Sequence, residues 1–317
     1  MKNLYCLLFI IMSFSFISCS KTDNIPEIGI LQFSDDIVLD KARQAALESL
    51  KEAGLIEGKD YKVNYMSAQG EVSNIQMILK SFKSAKVSVI LTNGTPCMVG
   101  AASQIKDIPV VFTVAFAPQQ LGINPSDNLY GYYDPFELKS FIKLIQEIIP
   151  NAKRIGLPFN PGEANAAFAS KQLIDEAKKV GIEILTQPIV SSNDMVQAAQ
   201  SLISKNVELF VLSADNAAYQ GIPALATIAK RFKKPIFVTD PSNVATGAAI
   251  GFGVNYEEWG RASGELLAKI LKNEKISVGK INPITKYELI INNKALQEQG
   301  LIVPDEVIKK ANKIINN

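Results

Sequence analysis

The chain has 317 residues, 47% of them hydrophobic and 20% charged, with a formal net charge of +2. That composition belongs to a folded protein with core enough for two domains of ~100–200 residues, and no block of like charge suits nucleic acid or an anionic membrane surface. There is no histidine, which excludes a Ser-His-Asp or Cys-His centre and removes the commonest metal ligand.

Lys2 precedes an apolar stretch from Leu4 to Ile17. A membrane span needs ~20 apolar residues, so this run fits a signal-peptide core better. It ends in Phe16-Ile17-Ser18-Cys19, followed by the polar SKTDNIPE. A small residue before cysteine at such a boundary resembles a bacterial lipobox, although Phe16 stands where leucine is usual. The resemblance implies a signal peptide over 1–18, a lipidated Cys19 and a tether over 19–26; a plain secretory signal or an uncleaved anchor are the other readings. The cysteines are Cys6, Cys19 and Cys97, which is no disulfide framework. Cys97, with no histidine to activate it, reads as a small buried hydrophobe.

From residue 27 strand-like and helix-like segments alternate. IGIL (28–31) is a strand; Leu39, Ala42, Ala46, Leu50 and Ala53 recur at helical spacing until Gly54. YKVNYM (61–66) is a strand and 73–84 a polar helix; VSVIL (87–91) is a strand, 96–105 a helix and PVVFTV (109–114) a strand. Residues 115–135, rich in Pro, Gly and Asn, read as a crossing or a long loop. The alternation resumes with a helix through Leu138 and Ile148, then RIGLPF (154–159), a helix over 162–181, IEILTQ (182–187), a helix over 193–204, ELFVL (208–212), a helix over 217–232 and PIFVTD (235–240). AAIGFGV (248–254), a helix marked by Trp259, Ala262, Leu266 and Ile270, KYELIIN (286–292) and a helix over 305–315 close the chain. Near-continuous Val, Ile and Leu strands separated by helices predict parallel sheets covered on both faces. The expected fold class is α/β, two Rossmann-like lobes with one deep cleft between them.

Ligands of open α/β sheets lie beyond the carboxyl ends of the strands. Those positions hold Gln32 and Phe33, Gln69, Asn93 to Thr95 and Thr113 in the first half, and Phe159, Asn160, Asp215, Asn216, Thr239 and Asp240 in the second. Asn93, Thr95, Asn160 and Asp215 are equally good as helix N-caps, and Asp240 before Pro241 as a turn residue. Phe33, Phe116 and Phe159 read as core or as ligand-facing rings, and Trp259 as core. The GFG at 251–253 is not a dinucleotide fingerprint and no phosphate-binding loop is present, so no cofactor is expected.

In order, IGILQF, ALESLKEAGLIEGKDYKVNYMSAQGE, KDIPVVFT, IIPNAKRIGLPFNPGEAN, LSADN, KKPIFVTD, GFGVNYEEWGRASGELLAKILKNE and YELIINNKALQEQGL resemble the ABC transporter substrate-binding proteins of the tryptophan/tyrosine uptake type, over about residues 27–303. The resemblance implies the type I periplasmic-binding-protein fold with three crossings between lobes, expected here as 27–133 plus 253–281 and 134–252 plus 282–317. It implies capture of a small solute, an amino acid and often an aromatic one, by a lipid-anchored protein of the cell envelope that hands it to a membrane permease and acts as a monomer. The resemblance implies a cleft lined by Gln32-Phe33, Gln69, Asn93 to Pro96, Thr113, Asn160, Asn165, Asp215-Asn216 and Asp240. Where the family often reads FTAVTDP this chain has FTVAFAP, with Phe116-Ala117 in place of an acidic residue, and ADN replaces TDN at 214–216, both less polar. The ligand's carboxylate is expected at Thr95 and Thr113, and its ammonium at Asp215 or Asp240. A ligand-sensing lipoprotein and a sugar or nucleoside binder are the alternatives; an enzyme lacks any nucleophile motif.

Overall fold

The computed structural model describes residues 25–276 and 280–316. The expected signal peptide over 1–18 and the expected lipidation site Cys19 therefore lie outside the described residues. Among the described residues no helix is long and apolar enough to cross a membrane.

The chain runs β1 (Glu27–Gln32), α1 (Ile37–Glu52), β2 (Lys62–Ser67), α2 (Val72–Ala85), β3 (Val89–Asn93), α3 (Thr95–Gln104), β4 (Val110–Ala115) and β5 (Leu129–Tyr133). It continues as α4 (Leu138–Ile148), β6 (Arg154–Phe159), α5 (Ala164–Lys179), β7 (Glu183–Pro188), α6 (Met195–Ser204), β8 (Leu209–Leu212), α7 (Asn216–Gln220), α8 (Ile222–Phe232), β9 (Ile236–Val238) and β10 (Ile250–Val254). It ends with α9 (Tyr256–Leu271), β11 (Ile281–Pro283), β12 (Tyr287–Asn292), α10 (Asn293–Gln299), α11 (Asp305–Lys310) and β13 (Lys313–Ile315).

The strands form two sheets, ordered β11-β5-β4-β3-β1-β2 and β13-β12-β10-β9-β8-β6-β7. All pairings are parallel except β10 with β12. Every residue of β3 and of β8 is buried, because helices cover both faces of each sheet. In the first lobe α2 and α3 pack one face through Leu79, Phe82 and Met98. Helices α1 and α9 pack the other through Ala46, Leu50, Leu266 and Leu267. In the second lobe α4 and α5 cover one face, and α6 and α8 the other.

The chain passes between lobes at 134–137, at Asn255 and at 284–286. Two of the expected boundaries shift. All of β10, through Val254, belongs to the second sheet, and all of β11, through Pro283, to the first. The physical reason is pairing: β10 lies in full register with β12, and β11 with β5, and a strand is not divided between two sheets.

Other differences concern short elements. The segment 115–135 contains a strand, β5, whose aromatic and glycine-rich LYGYY lacks the aliphatic run of its neighbours. The expected helix over 217–232 is two helices meeting at Gly221, where an added Cβ would lie 2.8 Å from the Met195 side chain. The expected helix over 305–315 stops at Lys310, and residues 313–315 pair with β12 instead.

Candidate functional site

A cavity of about 200 Å³ lies between the lobes at the carboxyl ends of the strands. The first lobe lines it with Asp36 to Leu39 at the start of α1, Gly94 and Thr95 at the start of α3, and Val114 to Phe116 at the end of β4. The second lobe contributes Asn165, Ala214, Asn216, Tyr219, Gln220 and Pro223, with Asp240, Asn243 and Thr246 after β9. The 134–137 crossing supplies Asp134, and α9, which starts just after the Asn255 crossing, supplies Tyr256 and, one helical turn beyond, Trp259. Parallel strands all present the same ends to the cleft, so every one of these loops converges there.

The local chemistry explains most of the placements. Asp36 caps α1, accepting from the backbone N–H of Val38 and Leu39 at 3.0 and 2.9 Å, as expected for an N-cap. At the end of β4 the register breaks between Phe112 and Ala115. There Val114 sits at φ 51, costly for a β-branched residue and an arrangement that concentrates at functional sites. Glu163 is 5% exposed and binds both neighbouring helix starts, accepting from the Asn165 Nδ2 and the Asn216 and Ala217 backbone N–H groups. The Nδ2 of Asn165 also donates to the Ala214 carbonyl at 2.6 Å, which leaves its buried Oδ1 without a partner beside the cavity.

The cavity wall is apolar and aromatic, with three carboxylates and no lysine or arginine. Asp240 is fully buried, accepting from the Ser242 N–H and the Asn243 Nδ2. Burial pushes its pKa up to about 8, helped by the charge of Asp36. Asp134 takes the Phe136 N–H and the Tyr287 hydroxyl on one oxygen. Burial raises it to about 6. Burial also raises Asp36, and it pushes Tyr219 and Tyr256 well above the ordinary phenol value. Such a cavity accepts hydrogen bonds and favours a positive group; a bound cation would restore the carboxylate form of its neighbours.

Five of the residues expected from sequence line the cavity: Thr95, Phe116, Asn165, Asn216 and Asp240. The others do not line it. Gln32 and Asn93 bond to each other inside the first lobe, and Asn93 also donates to the Leu39 carbonyl, supporting α1. Phe33 is 1% exposed and packs in the core, and Pro96 is buried in the first turn of α3. The Thr113 hydroxyl is buried within the sheet. Gln69 is at the surface, donating to Asp35 at 2.9 Å. Asp215 turns into the second lobe, where it accepts from the Ala218 and Asn160 backbone N–H groups. It caps α7 and pins the end of β6, its pKa raised to about 7 by burial and by Glu163.

Sequence reading passed over Asp134, Glu163, Tyr219, Tyr256 and the cavity face of Trp259. Asp134 closes the LYGYYD segment that read as loop. Trp259 does belong to a buried cluster, 2% exposed with its Nε1 donating to the Tyr132 carbonyl; one ring serves both packing and cavity wall.

The buried carboxyls set a pH dependence. Asp134, Asp215 and Asp240 hold protons in the folded chain that they would release when unfolded above about pH 4. Between there and about pH 8 the folded state therefore binds more protons, and stability falls as pH rises. Calorimetry at pH 5 and pH 8 is expected to give the lower Tm at pH 8, with the gap narrowed by Asp240→Asn.

The model of the family described as ABC transporter substrate binding protein matches residues 27–315. A tyrosine-binding protein of Clostridioides difficile (strain R20291) is 30% identical over 291 residues, covering 89% of this chain and 84% of that protein. A crystal structure of an ABC domain in complex with L-Trp from Streptococcus pneumonia, 25% identical, superposes with a TM-score of 0.84 over 92% of this chain and 99% of that one. A ligand-free, open structure of a substrate-binding protein with adhesive properties from Clostridium difficile, 27% identical, covers 92% of this chain and 100% of that one but superposes at only 0.67. Identity is nearly equal in the two, while the superposition is closer to the tryptophan complex than to the open structure. The fold is that of the type I periplasmic binding proteins, shared with a leucine-binding protein from Thermotoga maritima at a TM-score of 0.61. The chain belongs to the ABC transporter substrate-binding protein family.

Proposed function

We propose that this ABC transporter substrate-binding protein captures an aromatic L-amino acid, tyrosine or tryptophan, in the cavity between its lobes and presents it to a membrane permease. The observation that carries the reading is the cavity itself: about 200 Å³, walled by Phe116, Tyr219, Tyr256 and Trp259, with Asp36, Asp134 and Asp240 and no basic side chain. An aromatic ring suits such a wall, and an ammonium group answers carboxylates that nothing in the cavity neutralises. The N-terminus of α3 at Gly94 and Thr95, which lines the cavity, suits the ligand's carboxylate. The names of the Clostridioides difficile and Streptococcus pneumonia relatives support this ligand class.

Lobe closure supplies the mechanism. Ligand touching both lobes stabilises the closed arrangement by its differential contacts and releases when the lobes part. No step of bond making or breaking is involved. Calorimetric titration with L-tyrosine and L-tryptophan, against D-glucose, D-ribose and adenosine as controls, tests the reading; saturable binding of a control and of neither amino acid would overturn it.

The chain works outside the cytoplasm, as a monomer held to the membrane through lipid on Cys19. Cys19→Ser is expected to move the protein from the membrane fraction to the soluble extracytoplasmic fraction, read by fractionation and by mass of the mature N-terminus.

A further inference from the structure

At the edge of the cavity three phenylalanine rings from three different parts of the chain meet. Phe116 follows β4 in the first lobe, Phe136 stands in the 134–137 crossing, and Phe168 projects from α5 in the second lobe. The Phe116 and Phe168 centroids are 4.7 Å apart, and the Phe116 and Phe136 centroids 5.1 Å, tilted and edge-on as aromatic pairs prefer. Phe116 is 3% exposed, covered in part by Phe168 of the other lobe. Phe168 does not line the cavity; it reaches the ligand space only through Phe116.

The crossing is built to hold this arrangement. Phe136 sits at φ 65, a left-handed backbone unusual for a bulky residue. Its N–H is fixed at 2.7 Å by Asp134, which is itself tied to Tyr287 at the start of β12 in the second lobe. Strain of this kind persists only where surrounding contacts enforce it, and it gathers at clamps and hinges.

We propose that Phe168 is a positioning residue for ligand retention: with Phe136 it clasps Phe116 across the cleft, so that parting the lobes must bring three rings into water. The clasp acts on the closed arrangement whatever the ligand, though its effect on release is measured with the ligand class proposed above.

Phe168→Ala removes the second-lobe ring and leaves every cavity-lining side chain in place. Small-angle scattering of the ligand-free variant is expected to show a larger radius of gyration than wild type. Stopped-flow release of L-tryptophan is expected to speed up about tenfold, with association changed far less. Phe168→Leu, which keeps an apolar contact and serves if the alanine variant does not fold, is expected to fall between. In a double-mutant cycle on release rate, Phe116→Ala and Phe168→Ala are expected to be less than additive. Wild-type scattering together with wild-type release in both Phe168 variants, or full additivity in the cycle, would overturn the clasp. If L-tryptophan binds to no form of the protein, the ligand assignment fails while the scattering comparison still decides the clasp.

Discussion

Gly260→Val is expected to prevent stable folding or to lower stability by about 3 kcal/mol or more, the upper end of the cost of overpacking a close-packed contact. Helices α1 and α9 cross with their backbones in contact. A Cβ on Gly260 would lie 2.1 Å from the Ala42 carbonyl oxygen, and one on Gly264 2.4 Å from that of Ala46. The obstruction is helix backbone, which cannot step aside as a side-chain tip can. Glycine within a helix itself costs ~0.5–1 kcal/mol relative to alanine, so two of them one turn apart mark an approach that outweighs their propensity. The contact also bears on the cavity, since α1 opens with Asp36 to Leu39 and α9 with Tyr256 and Trp259. Denaturant unfolding monitored by circular dichroism measures the loss; Arg261→Ala, on the same helix but pairing at the surface with Glu52, should cost under about 1 kcal/mol. Equal stability of Gly260→Val and wild type would mean the helices do not pack this closely.

Asp134→Asn and Asp240→Asn are each expected to weaken binding of L-tryptophan by about 30-fold or more, or ~2 kcal/mol, as is usual when one partner of a buried charged contact is removed. Asparagine keeps the shape and much of the hydrogen bonding but not the charge. The same substitutions should move stability the other way. A carboxyl whose folded pKa is raised is destabilising above its unfolded pKa, so replacing Asp240 is expected to raise the Tm of the ligand-free protein at pH 8 and leave it little changed near pH 4. Binding and stability shifting in opposite directions separates a ligand-facing carboxylate from a structural one. Asp215→Ala is the contrast: it leaves the Asn160 and Ala218 N–H groups unanswered and should lower stability at pH 5 by about 1–3 kcal/mol, with a smaller loss at pH 8, where the raised pKa of Asp215 itself costs stability. Unchanged titration curves for both asparagine variants would remove the ammonium from these carboxylates.

Much of the fold is legible locally. The aliphatic runs at 28–31 and 154–159 fall within β1 and β6, that at 208–212 covers β8, and that at 87–91 overlaps β3, which runs on to Asn93; a run this short and apolar without alternation suits a strand buried on both faces. Gly54, with φ 81, follows α1, and Gly181, with φ 76, follows α5; both were readable as stops. The short edge strands were not. β11 and β13 have three residues each and exist through their partners β5 and β12, a reason that lies a hundred or more residues away in one case.

The amino-acid sequence by itself determined the architecture, the absence of histidine chemistry and the fact that polar groups cluster where strands end, because periodicity, stops and composition are properties of neighbouring residues. Which polar groups face the cleft was decided only by tertiary structure. Asp215 and Asp240 both follow apolar strands, yet one turns inward to cap α7 and the other lines the cavity. Asp134, Tyr256 and Trp259 reach that cavity because the chain crosses between lobes beside it, and Phe116 meets Phe168 only when the lobes come together. The difference is physical: a strand or helix is stabilised largely by its own pattern of burial, whereas a site between lobes is composed of side chains whose positions are fixed by partners far off in the chain.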